Sequence, residues 1–206
     1  MFFVGQMPSL SVTIERDRRT IWLYHATNCY GWLALDARGG WRMRDEAAQR
    51  AGAAGDKLTN AALVGFIARN YLSDERGCWY FQNGPQRVYV NLETTPFVAR
   101  TDPAHGLVLH TGQPLGAPDE ALFTDAGGIV LRAGRTVAQL DDRDAAQLLQ
   151  AFELDGRPAA DDDVMAWLEG GAGELALRWH DRRLLIKRIA ADDVPGRFGF
   201  VRRPDL

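Results

Sequence analysis

The sequence predicts an α+β protein with mostly antiparallel strands, and three observations carry that reading. Short β-branched and aromatic runs recur between clusters of Gly, Pro, Asn and Asp. Strands grouped this way, with few helices between them, do not build a doubly wound parallel sheet. One stretch, 59–72, has helical spacing and a capping residue. The expected arrangement is an N-terminal α/β roll with one main helix over residues 1–101, and a smaller β-rich roll with short helices over 102–206. The turn Asp102-Pro103-Ala104-His105-Gly106 marks the boundary between them.

The elements follow in order. Strands are expected at 10–14 and 21–25, where β-branched and aromatic residues suit a pleated surface. The runs 32–36 and 41–44 flank Ala37-Arg38-Gly39-Gly40, a hairpin with a four-residue loop that puts Trp32, Ala34, Trp41 and Met43 on one face. A short helix is expected at 46–51. The main helix begins at a Thr59 or Asn60 cap and carries Leu63, Val64, Ile67, Tyr71 and Leu72 as its apolar stripe. Strands 78–82 and 87–92 enclose Asn83-Gly84-Pro85-Gln86. Side-chain alternation puts Trp79, Phe81, Val88, Val90 and Leu92 on one face, and Cys78, Tyr80, Gln82, Arg87, Tyr89 and Asn91 on the other. An edge strand starts at Pro96. Short strands are then expected at 107–111, 121–124, 129–132 and 136–140, and helices at 142–152 and 162–168. A last hairpin joins 174–179 to 182–189, and a strand at 197–201 closes the sheet.

Composition narrows the class. The chain has 206 residues, 46% of them hydrophobic and 25% charged, as ordinary globular proteins do. The longest apolar run, 61–68, is far shorter than the roughly 20 residues of a membrane helix. The opening Met1-Phe2-Phe3-Val4-Gly5 lacks the basic start of a signal peptide, so a cytoplasmic location is expected. Cys29 and Cys78 stand far apart in sequence, which fits a reducing compartment without a disulfide framework. The net charge of −3 gives no basic excess for nucleic acid. Its distribution is uneven: residues 101–177 hold 14 acidic and 4 basic side chains, between two segments of net positive charge.

No phosphate-binding loop, dinucleotide fingerprint or nucleophile elbow is present, and no cofactor is implied. No two of His25, His105, His110 and His180 have the helical spacing of a zinc site, so no metal is expected. The acidic runs Asp141-Asp142-Arg143-Asp144 and Asp161-Asp162-Asp163 precede apolar helical stripes, where carboxylates cap free N–H groups. Two constellations remain. Cys29 and His25 are the pair that could act as thiolate and base. Tyr80, Gln82, Arg87 and Tyr89 share a strand face that could stack a planar ligand, a peptide or single-stranded nucleic acid, the last least favoured because no basic stripe accompanies the aromatics.

The order of the hairpin around Gly39-Gly40-Trp41, the helix from Leu63 to Tyr71, and the strand pair 78–92 ending at Pro96-Phe97-Val98 resembles the two-domain proteobacterial family of domain of unknown function 1285 (DUF1285). The resemblance implies an N-terminal α/β roll followed by a β-rich roll, and carries no activity over. The residues themselves point to a non-enzymatic cytoplasmic module, monomeric or homodimeric, regulating by binding a small molecule or a protein. The alternative is a thiol-dependent hydrolase or transferase using Cys29 and His25.

Overall fold

A computed structural model describes residues 28–205. The strands expected at 10–14 and 21–25 lie outside the described residues. The described residues open with β1 (Asn28–Leu35), β2 (Trp41–Met43), α1 (Glu46–Arg50), β3 (Asp56–Lys57), α2 (Ala61–Arg69), β4 (Tyr71–Ser73), β5 (Trp79–Asn83) and β6 (Gln86–Leu92). Their strands form one six-stranded sheet in the order β3-β2-β1-β6-β5-β4. Then come β7 (Phe97–Asp102), β8 (Gly106–Leu109), β9 (Glu120–Thr124), β10 (Ile129–Ala133) and β11 (Thr136–Leu140). A 3-10 turn (Asp142–Asp144), α3 (Ala145–Leu149), β12 (Phe152–Leu154), β13 (Arg157–Pro158), α4 (Asp161–Leu168), β14 (Leu175–Trp179), β15 (Arg182–Ile189) and α5 (Val194–Phe198) complete it. The second sheet has nine strands in the order β13-β12-β14-β15-β9-β10-β11-β7-β8.

The expected α+β class with one main helix is overturned. The described residues are 42% strand and 20% helix, so the protein is mostly β, built on two large mixed sheets. Most pairings are antiparallel, but β1 with β6, β7 with β11 and β9 with β15 run parallel. The helix at 61–69 has nine residues against eight in α4, because Tyr71 and Leu72 leave its stripe for β4. There Tyr71 pairs with Phe81 and Leu72 with Tyr80. A partner strand outweighs helical spacing for an aromatic residue that packs well on a sheet. Asn60 caps α2, its side-chain oxygen accepting the Leu63 N–H at 3.0 Å.

Two further expectations are corrected. The first hairpin loop spans residues 36–40, one residue longer than expected, and closes with the Asp36 N–H donating to the Gly40 carbonyl at 3.0 Å. A one-residue change reverses the faces: Trp41 pairs with Leu35 and Met43 with Leu33, and Leu33, Leu35 and Trp41 are buried. The strand expected at 197–201 is replaced by α5, with Pro195 in its first turn and Gly199 in the left-handed region at its end. Val201 then pairs with Cys78, and its N–H donates to the Gly77 carbonyl. Gly77 lies at φ +78°, and a Cβ there would stand 2.1 Å from the Gly199 carbonyl oxygen, so this docking needs glycine.

The nine-stranded sheet curls around one core. Leu107 and Leu109 of β8, Phe152 of β12, and Leu175 and Leu177 of β14 belong to a single buried cluster, closed by Val164 and Trp167 of α4. Its other face, at Leu122, Val130 and Val137, packs on Leu33, Val90 and Leu92 of the six-stranded sheet and belongs to one cluster with Ile67 of α2. No helix among the described residues is long and apolar enough to cross a membrane.

This packing sets a stability contrast. Leu33 is 1% exposed, and Leu33→Ala is expected to cost about 2–5 kcal/mol. Leu72 is 50% exposed, so Leu72→Ala should stay within about 0.5 kcal/mol. Urea unfolding followed by tryptophan fluorescence measures both; equal losses would contradict the placement of Leu72 on β4.

Candidate functional site

The return of the C-terminal segment builds a cleft. The Leu92 N–H donates to the Arg202 carbonyl at 2.7 Å, which brings Arg202 beside the β6–β7 connection. Around it stand the β1–β2 loop, the β9–β10 turn, the end of β11 and the start of α5, enclosing about 660 Å³.

The walls are oriented by hydrogen bonds already in place. Asp36 Oδ1 accepts the Gly40 N–H at 2.7 Å, and its Oδ2 accepts Arg42 Nε at 2.8 Å. Arg38 makes a two-point pair with Asp142 at 2.9 and 2.8 Å; both are more than half exposed, so the pair adds little stability. Glu93 Oε2 accepts the Ala37 N–H at 3.0 Å. Thr95 Oγ1 donates to the Phe97 carbonyl and accepts the Gln139 N–H, each at 2.7 Å. Arg202 pairs with Asp192 at 3.0 Å and donates to the Ala191 carbonyl.

Two atoms stand outside this scheme. Among the described residues Thr94 Oγ1 and Arg202 Nε are buried and have no hydrogen-bond partner. Each such atom costs about 1–3 kcal/mol relative to a satisfied one. The charges on the walls balance, with Asp36, Glu93 and Asp142 against Arg38, Arg42 and Arg202. Such a cleft suits a polar ligand without strong net charge. Sequence reading missed Thr94, Gln139 and Arg202, since each is a single polar residue on a distant segment with no motif around it.

The tyrosine face lies elsewhere, on the six-stranded sheet. Tyr80 pairs directly with Tyr89, and Gln82 with Arg87. Tyr80 and Tyr89 are buried at 6% and 2%, while Arg87 is exposed. Their rings are covered by other residues of the same face. Tyr30 stacks on Tyr89 with centroids 4.5 Å apart, and the Arg87 guanidinium lies 4.7 Å from the Tyr80 centroid. The Tyr89 hydroxyl donates to Asp74 at 3.1 Å. Burial raises the Asp74 carboxyl, but the Cys78 and Arg76 N–H groups, the Arg76 side chain and Tyr89 together hold it below its ordinary range.

The thiol pair is only half described, because His25 lies outside the described residues. Cys29 is buried, and its sulfur accepts a hydrogen bond from Gln86 Nε2 at 3.1 Å. Burial pushes its thiol up, away from the thiolate that a nucleophile needs. Cys78 is buried and raised as well. Among the described residues no group of three or more His, Cys, Asp or Glu is placed to hold a metal ion. Iodoacetamide at pH 7 should label neither cysteine in the native protein over a time that labels both after denaturation. Rapid native modification of Cys29, read by mass spectrometry, would instead favour thiol chemistry.

His110 forms a further feature beneath the β1–β2 loop. Its ring packs against Trp41, Tyr71 and Phe97 at 5.3, 6.0 and 5.8 Å. Nδ1 accepts the Val98 N–H at 3.2 Å, so the neutral ring carries its proton on Nε2, which has no partner among the described residues. Burial lowers the imidazole to about 4, with Arg100 adding to the effect and Asp36 opposing it. The unfolded chain therefore takes up a proton near pH 6.5 that the folded one refuses until about 4. Stability should be full above pH 6.5 and fall toward pH 4, by on the order of 3 kcal/mol. His110→Asn keeps an acceptor for Val98 and removes the proton site. Denaturant titrations should show this pH-dependence in the native sequence and its loss in the variant.

A family model described as "Protein of unknown function (DUF2946)", under the name DUF2944, matches residues 22–205. No curated protein matches the chain. Among solved structures it is similar to a DUF1285 family protein from Silicibacter pomeroyi DSS-3, with 14% identity, 81% of this chain and 84% of that one covered, and a TM-score of 0.48. It is also similar to a DUF1285 family protein from Shewanella baltica OS155, with 16% identity, 54% and 85% covered, and a TM-score of 0.38. Both belong to the family that the sequence layout resembles, and at these TM-scores neither defines this fold.

Proposed function

We propose that this chain, which belongs to the DUF2944 family of proteins of unknown function, is a non-enzymatic ligand-binding module of the cytoplasm, regulatory in role. Its site is the cleft between the two sheets, and its ligand is a small polar molecule, neutral or zwitterionic. The observation that carries the reading is the pair of buried, unpartnered atoms on two residues lining that cleft, Thr94 Oγ1 and Arg202 Nε. Both atoms are shielded from solvent, so a ligand recovers their desolvation cost by displacing the groups that cover them. Ile129, Val130 and Val194 supply the apolar part of the lining that a small-molecule site needs.

The Tyr80, Gln82, Arg87 and Tyr89 face is the less favoured location. A ligand stacking there would have to displace Arg87 from Tyr80 and Tyr30 from Tyr89. Thiol catalysis is disfavoured by the buried, raised Cys29.

Native mass spectrometry of protein purified gently from its expression host tests the proposal. An adduct is expected that disappears on denaturation. Ala126, exposed on the cleft rim, can be enlarged without disturbing the core, and Ala126→Phe should abolish the adduct while the protein stays folded. An adduct kept in Ala126→Phe but lost in Tyr80→Ala would move the site to the tyrosine face. A bare mass throughout, with rapid native labelling of Cys29, would replace the binding function with thiol chemistry.

A further inference from the structure

The geometry points to a second site, distinct from the cleft: a phosphate-binding pocket formed by Arg132, Arg135 and Arg197. These three side chains line a concavity of about 550 Å³ with Val137 and Phe198. They come from separate segments, Arg132 from β10, Arg135 from the β10–β11 turn and Arg197 from α5. The acidic stretch 101–177 holds only four basic residues, and two of them stand here.

Two acidic groups brace the pocket. One oxygen of Glu120 accepts Arg132 Nε at 3.1 Å, and the other accepts Arg197 Nη2. Burial raises the Glu120 carboxyl, but its bonds to Arg197 and Arg132 outweigh that and keep it charged. Asp119 pairs with Arg132 at 2.7 Å, and its other oxygen accepts the Gly134 N–H at 2.7 Å, which fixes the turn carrying Arg135. Arg132 Nη1 donates to the Gly134 carbonyl at 3.1 Å, leaving that guanidinium largely committed.

Arg135 and much of Arg197 remain uncommitted. Among the described residues Arg135 is exposed and has no ion pair, and Arg197 keeps Nε and Nη1 free. Three guanidinium charges against two carboxylates leave one positive charge uncompensated. A planar carboxylate fills the fork of a single guanidinium. A tetrahedral phosphate has three terminal oxygens and can accept from Arg135 and Arg197 together, which come from different directions in the chain. Phe198, half-buried with the Arg197 guanidinium 5.6 Å from its ring centroid, offers an apolar edge to the organic part of a phosphate ester.

Calorimetric titration of the folded protein with inorganic phosphate, phenyl phosphate and acetate at low ionic strength tests this. Saturable one-to-one binding of phosphate is expected, with acetate weaker by about tenfold or more. Arg135→Ala removes an exposed side chain, and Arg197→Lys keeps the charge but loses the fork; each should weaken phosphate by about tenfold. Tighter binding of phenyl phosphate than of inorganic phosphate would identify an ester as the ligand, and equal binding a free phosphate. No saturable binding, acetate equal to phosphate, or undiminished affinity in both variants would overturn the assignment. Ala126→Phe should leave this titration unchanged, so failure here is separable from failure at the cleft.

Discussion

Strands β9, β10 and β11 are buried on both faces, and the rest of the molecule is arranged to cover them. Ala121, Phe123, Leu131 and Ala138 point into the core enclosed by the curled nine-stranded sheet. Leu122, Val130 and Val137 point the other way, into the core shared with the six-stranded sheet. Strands with two dry faces need a layer on each side. One layer is supplied by β12, β14 and α4 with the curling of the sheet, the other by β1, β6 and α2.

The same constraint locates both concavities. The β9–β11 ribbon is apolar along its length and polar at its two ends. At one end Thr124, Gly128 and Gln139 border the cleft with Thr94 and Arg202. At the other, Glu120, Arg132 and Arg135 border the arginine pocket. Helix α5 touches both, through Val194 at the cleft and Arg197 and Phe198 at the pocket. The segment after it is held by Gly77, whose missing side chain admits the Gly199 carbonyl. A short C-terminal stretch therefore completes two concavities that the sheets alone would leave open.

Much of the strand plan was legible in the sequence. The alternation through β5 and β6 sorted Trp79, Phe81, Val88 and Val90 from Cys78, Tyr80 and Tyr89, and the two groups occupy different clusters. In the last hairpin, Leu177 opposes Leu184 and Ala176 opposes Leu185, the register the alternation implies. Tyr71 and Leu72 defeat local reading because the boundary from α2 to β4 carries no local mark: their spacing continues a helix, and only the pairing with β5 makes them a strand. The two-residue strands β3 and β13 are too short for periodicity to register at all.

The amino-acid sequence alone marks most of the alternating strands and the Asn60 start of α2, because these depend on neighbours within a few positions. Tertiary structure alone decided the parallel pairing of β1 with β6 and of β9 with β15, and hence which faces are covered. It also decided that Thr94 and Arg202, or Arg135 and Arg197, come to share a concavity. Such residues are far apart in the chain and individually ordinary. Their proximity follows from the burial of whole faces, and no local pattern encodes that.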